Sequence, residues 1–165
     1  MQLLRSIMLG SALCFAAAEA GAEPMTLDAV LTTTEDISLN FENDKRHFLT
    51  LLLREGTAGG EGVFEGAAVA EYGMHDVTGE VGGEASGYVV ATTTGGDIAY
   101  FRWRLQAVFV EGADGKAEVV NSGLWELAGG TGQFAAQRGV GSLKIEFPSK
   151  TERRYILTGD IAPAP

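Results

Sequence analysis

The sequence predicts an all-β fold, either a sandwich or a closed antiparallel barrel, and three observations carry that expectation. Residues 98–110 alternate without a break: Ala99, Phe101, Trp103, Leu105, Ala107 and Phe109 fall on one face, and Tyr100, Arg102, Arg104 and Gln106 on the other. A period of two is that of a strand with one buried face. Further alternating or β-branched runs follow one another, separated by Gly-Gly and Asp-Gly links that suit tight turns. Beyond the N-terminal stretch, no segment carries the apolar spacing of a helix.

The N-terminus comes first in order. Arg5 precedes an apolar run from Ile7 to Ala18, and Ala20-Gly21-Ala22 sets small residues at the positions a signal peptidase reads. This is the pattern of a secretory signal over residues 1–22, leaving 23–165 as a single β-barrel or sandwich domain, exported to the periplasm or secreted. The apolar run falls short of the roughly 20 residues that span a bilayer, so no membrane insertion is expected once the signal is removed. Cys14, the only cysteine, lies inside the signal. The mature chain is therefore expected to have no disulfide, thiolate nucleophile or cysteine-ligated metal.

A first strand is expected within residues 26–41, a second at 47–54 and a third at 63–72, with 56–62 between the last two. Residues 72–86 read as a longer irregular loop. A strand at 87–94 leads through Gly95-Gly96 into 98–110, and Ala113-Asp114-Gly115-Lys116 leads on to 117–127. In 139–147, Leu143, Ile145 and Phe147 oppose Ser142, Lys144 and Glu146; Pro148-Ser149-Lys150-Thr151 then turns into 153–161, where Tyr155 and Leu157 share a face. Seven or eight strands with short links make a sandwich or a barrel, and closure would remove the exposed edges.

The formal charge is −10, and it stays there when Arg5 and Glu19 leave with the signal. With no compensating basic cluster, such a surface repels phosphate backbones and excludes nucleic acid as a partner.

Between two of the strands lies Gly129-Gly130-Thr131-Gly132-Gln133-Phe134-Ala135-Ala136-Gln137-Arg138-Gly139. The glycines predict a crowded corner with Phe134 plugging the core. A phosphate-binding loop needs a helix after its glycines, and here a strand follows. The segment, with Gly141-Ser142-Leu143-Lys144-Ile145 after it, resembles the GGTG-x-F-x-x-x-RG signature of the allene oxide cyclase and dirigent-like barrels, and looks more like their bacterial members than the plant enzymes. The resemblance implies a closed eight-stranded antiparallel barrel, an apolar pocket in its lumen that takes a small molecule, and a homotrimer. It also places Arg138 near the pocket, although Gln137 stands where dirigents carry alanine before the motif's closing Arg-Gly. The cyclase glutamate and asparagine-held water have no residue-by-residue match here, so the activity does not transfer with the fold.

The candidate ligand-binding residues, in the lumen or at its rim, are Tyr72, His75, Phe101, Trp103, Trp125, Phe134 and Arg138. His75-Asp76 beside Tyr72 offers an acid–base pair or part of a metal site, against a loop histidine bonded to backbone. Neither histidine has metal-ligand spacing, and no metal or cofactor is expected. Trp103 and Trp125 share the odd-numbered phase with Phe101 and Leu127, where they either pack a core or face a ligand. Glu126 and Arg138 flank the glycine corner as a candidate ion pair. Arg102 and Arg104, with Tyr100, form a candidate subunit contact. No catalytic triad or carboxylate pair emerges. The expected function is an exported barrel that binds an apolar or phenolic small molecule. The alternatives are a cyclase- or dirigent-type enzyme steering a reactive lipid or phenolic intermediate, and a structural trimeric interaction module.

Overall fold

The computed structural model describes residues 21–165, so the expected signal through residue 20, with Cys14, lies outside the described residues. Eight strands follow one another: β1 (Glu23–Asn40), β2 (His47–Gly59), β3 (Ala68–Thr78), β4 (Gly82–Thr92), β5 (Ile98–Glu111), β6 (Ala117–Gly130), β7 (Gln137–Glu146) and β8 (Glu152–Pro163). Each pairs antiparallel with the next, and β8 returns to β1, closing a barrel. Of the two architectures open to the sequence, the barrel is the one formed.

Alternation decides which residues fill it. Leu27, Ala29 and Leu31 of β1, Phe101 and Trp103 of β5, Trp125 and Leu127 of β6, and Tyr155 and Leu157 of β8 all point inward and are buried. Trp103 and Trp125 are direct cross-strand partners. Trp125 donates its indole N–H to the Thr158 carbonyl at 3.2 Å, which satisfies the one polar atom of that side chain.

The glycine corner closes one end. Thr131 bonds Ile98 twice: its amide donates to the Ile98 carbonyl at 2.8 Å, and its hydroxyl accepts the Ile98 amide at 2.9 Å. Gly132 then turns with φ of 52°, which a side chain rarely allows, and starts a single 3-10 turn, Gly132–Phe134. That turn drives Phe134 into the barrel mouth, where its ring stacks on Phe64 at 5.3 Å. Phe64 meets the Phe101 ring edge-on at 5.6 Å, and Phe101 meets Trp125 the same way at 5.3 Å. The plug is therefore an aromatic column.

Three expectations along the chain are corrected. Residues 72–86 are not a loop, because β3 and β4 run through them and pair from Ala68↔Thr92 to Thr78↔Gly82. The third strand begins at Ala68 rather than 63, and residues 60–67 form the link that delivers Phe64. The glycines at 56 and 59, read as breakers, are the last turn of pairing in β2, where Gly56 and Gly59 lie opposite Leu31 and Asp28.

β1 carries one irregularity of consequence. Thr33 pairs with Arg54 and Glu35 with Leu53, so Thr34 is an extra residue. A bulge of this kind reverses the inward phase beyond it. Before Thr34 the odd positions face in; after it Asp36 and Ser38 line the lumen, while Ile37 is left 75% exposed outside.

We predict that Phe134→Ala costs about 3–5 kcal/mol, since it removes a fully buried ring from a column with no space to collapse into. Chemical denaturation measures it, with Tyr72→Ala on the outer wall expected within about 0.5 kcal/mol of wild type.

Candidate functional site

The plugged end and the open end differ in what fills them. Above the aromatic column the lumen opens into a cavity of about 480 Å³. Phe48, Leu52, Val77, Leu105, Phe109 and Val119 supply its apolar wall, with Arg54, His75, Asn121 and Arg153 among its polar groups.

The floor is built from β2, β3 and β8. Glu71 and His75 lie on the inward phase of β3 with only Gly73 between them, and Arg54 is the cross-strand partner of Glu71. Arg54 Nη1 donates to Glu71 Oε2 at 2.8 Å and to the Tyr155 hydroxyl at 2.9 Å, and Arg54 Nε donates to Thr33 Oγ1 at 3.2 Å. His75 Nε2 lies 3.1 Å from Glu71 Oε1. The Glu71 carboxylate, 0% exposed, therefore engages Arg54 with one oxygen and His75 with the other.

Gly73 makes this possible. A Cβ there would stand 2.0 Å from Glu71 Oε1 and 3.0 Å from His75 Nε2. Two inward side chains four residues apart on a strand meet only if the residue between them has none.

The electrostatics follow. A buried carboxylate is tolerable only when paired and hydrogen-bonded, as this one is. Burial, and next the charge of Glu71, push the Tyr155 phenol well above its usual range, with Arg54 partly opposing. The phenol therefore stays neutral and accepts from Arg54. Arg153, higher on the wall, is held below the usual guanidinium range by burial first and by the Arg54 charge second. Among the described residues it donates only to main-chain carbonyls of Ser149, Lys150 and Glu152, and its guanidinium lies 4.8 Å over the Phe147 ring. Trp103 Nε1, beside His75 and Tyr155, is the one buried side-chain polar atom among the described residues without a partner.

The residues singled out from sequence divide into three groups. His75 lines the cavity. Phe101, Trp103, Trp125 and Phe134 face the lumen but fill it beneath the cavity as packed core. Tyr72 and Arg138 take the opposite phase and lie outside the barrel, Tyr72 at 55% exposure. Neither reaches the cavity, because each follows or precedes an inward residue on its strand. Arg138 bonds the Gln137 carbonyl, and Glu126 pairs with its cross-strand neighbour Arg102, not with Arg138. Asp76 also points outward, to His47 at 2.6 Å, so the histidine it serves is not its neighbour in sequence. Among the described residues, no group of three or more His, Cys, Asp or Glu side chains is placed to hold a metal ion.

Arg54, Glu71, Tyr155 and Arg153 were not singled out by the sequence. The available signal was phase: Val69, Glu71, Gly73, His75 and Val77 alternate with outward residues, so a strand through 68–78 exposes a charge aimed inward.

Two predictions test the floor. Glu71→Leu leaves the Arg54 charge buried and unpaired and should cost about 3–5 kcal/mol, whereas Arg54→Met with Glu71→Leu should recover most of it. Equilibrium unfolding of the three variants decides this. Because the folded-state phenol of Tyr155 titrates above its unfolded value of 10.0, its contribution is complete below that pH and is lost as pH rises through and beyond it. Ultraviolet titration should show one of the four tyrosines resisting ionisation until the barrel unfolds, and Tyr155→Phe should remove that resistance.

No protein-family model matches the chain, and no curated protein matches it. Among solved structures, the chain is similar to the pterocarpan synthase dirigent protein GePTS1, with a TM-score of 0.51 and 11% sequence identity over 93% of this chain and 98% of that one. At that identity the likeness is one of fold: this chain forms a dirigent-like, closed eight-stranded antiparallel barrel.

Proposed function

We propose that the protein is an exported barrel that binds a small apolar or phenolic molecule in the open half of its lumen. The cavity carries this reading. At about 480 Å³ it falls in the range of small-molecule sites, and its apolar wall with a few converging polar groups has their usual composition. The dirigent-like fold supports it, since the neighbour with the same barrel is named for the synthesis of a small molecule, a pterocarpan.

A second reading, a dirigent- or cyclase-type enzyme steering a reactive intermediate, is favoured by one observation. The Glu71–Arg54 ion pair and the His75 ring bonded to it form a connected polar cluster at the cavity floor, where apolar packing would be the more stable filling. Such clusters are frequent at reacting centres.

Assembly belongs to the same proposal. On the outer wall Ile37, Leu51 and Met74 lie in one register row across β1, β2 and β3 and are all exposed. A homotrimer that covers this row would remove it from water.

The binding reading is tested with Ala107→Trp, which fills the cavity from β5. A panel of phenols and medium-chain alcohols should quench wild-type tryptophan fluorescence saturably. At 100 times Kd a ligand should add about 2.7 kcal/mol of stability. The filled variant should fold and show neither effect; a variant that binds as wild type would place the ligand elsewhere.

A further inference from the structure

The tautomer of His75 can be read from its neighbours. Two groups approach Nε2: Glu71 Oε1 at 3.1 Å and Arg54 Nη1 at 3.4 Å. Arg54 Nη1 carries two hydrogens, and both are engaged, one by Glu71 Oε2 and one by the Tyr155 hydroxyl. No hydrogen remains for His75, and a guanidinium nitrogen accepts none. Nε2 must therefore carry the proton and donate it to Glu71. In the neutral ring this leaves the lone pair on Nδ1.

Nδ1 makes no hydrogen bond with any described residue. It is also not buried, since the one buried and unpartnered side-chain polar atom among the described residues is Trp103 Nε1. His75 is otherwise enclosed by β2, β4 and the Trp103 ring, and the space it borders is the cavity. The lone pair opens there. A carboxylate on one imidazole nitrogen and free space at the other is the arrangement that holds a histidine ready to accept a proton.

We propose that His75 acts as a general base on a molecule bound in the cavity, with Glu71 as its positioning residue, and that the substrate class is a small apolar carbon acid. This rests on the reading of the cavity as a small-molecule site. The step needs no co-reactant. Nδ1 takes the proton from the carbon between a carbonyl and a C=C bond, the C–H electron pair moves to form the dienolate, and the imidazolium returns the proton at the far carbon of the former double bond, leaving the C=C conjugated with the carbonyl. The result is a proton-shift isomerisation. Negative charge on the enolate meets Arg153, which lines the same cavity and forms no ion pair with any described carboxylate. The charged and titratable groups around His75 and its cavity are Glu71 on its own strand, Arg54 on β2, Tyr155 and Arg153 on β8, Asp36 on β1 and Glu84 on β4.

The probe is a nitrobenzisoxazole, whose ring C–H is lost to a base as its N–O bond breaks, releasing a coloured phenolate and nothing else. Wild type should turn it over with saturation, and His75→Gln should slow it by about 100-fold or more. Gly73→Ala, which pushes Glu71 off the ring while keeping both charges, should lose much of the rate in a folded barrel. His47→Gln on the outer wall should match wild type. Nitrogen-15 NMR of the histidines should show the Nε2–H tautomer at His75 in wild type and a tautomer mixture in Gly73→Ala. A purely structural role for Glu71 would not move that signal. An Nδ1–H tautomer in wild type, or equal turnover in His75→Gln, overturns the proposal. Saturable quenching of tryptophan fluorescence by the probe without turnover overturns the base and leaves the binding site standing. Neither quenching nor turnover overturns both the base and the cavity as the binding site, even with the Nε2–H tautomer present, since that tautomer alone reports only the hydrogen bond to Glu71.

Discussion

Ten residue pairs between β1 and β8, from Glu23↔Ile161 to Thr32↔Glu152, join the first strand to the last and turn a sheet into a barrel. Every later feature depends on that seam. With it closed, every strand has a neighbour on both sides, and pairing thins only where β1 runs on beyond Thr32 and where β6 meets β7 over Gly123–Glu126, so most of the edge that could template aggregation is gone. Side chains then have only two destinations, lumen or exterior, and alternation along the strand assigns each one. Tyr155 and Leu157, in the seam itself, are wholly buried because the barrel is shut around them.

A barrel of eight strands encloses roughly what its own side chains can fill. Here the filling is uneven. Large aromatics occupy one half, while the other half is lined in part by small residues such as Ala85, Ala107, Gly82 and Gly83. The charged floor sits at the boundary between the halves. There Glu71 is cut off from water, yet Arg54 and His75 still border open space. Low dielectric makes the hydrogen bonds among them strong and makes any missing partner costly. The same position couples the stability of the barrel to the chemistry its cavity can offer.

The barrel was legible where the two faces of a strand differ in polarity. Residues 98–110 are the clearest case, and β5 runs over Ile98–Glu111. The glycine corner was legible too, because Phe134 is the only large apolar side chain that a turn of that composition carries. The second half of β3 was hidden for a physical reason: beyond Glu71, which fell within the expected strand, its inward face holds Gly73 and His75, which read as loop residues because they form the floor and do not pack as core. The Arg54–Glu71 contact was out of reach for a different reason. The two residues are 17 apart, and their meeting depends on the β2–β3 register, which a sequence does not state when the connecting segment is irregular. Tyr155 is 101 residues from Arg54, a distance that only closure bridges. The phase of Tyr72 and Arg138 followed from alternation alone, once the strand bounds were known.

Thr34 bears on how this barrel could change over time. It is one residue beyond what the pairing of β1 with β2 requires, so deletion would leave every hydrogen-bonding partner available. The next six positions would keep their sides, since Glu35 would still face Leu53 and Asp36 would still face Leu52. Asp36 and Ser38 would stay at the cavity mouth, and Ile37 and Leu39 on the exterior. What would change is the course of the strand, because a bulge adds local bend and twist. Barrels of this type can therefore differ by one residue at this point and keep the same lining while the rim is drawn in or opened, whereas the floor, three strands wide and set by register, would be untouched.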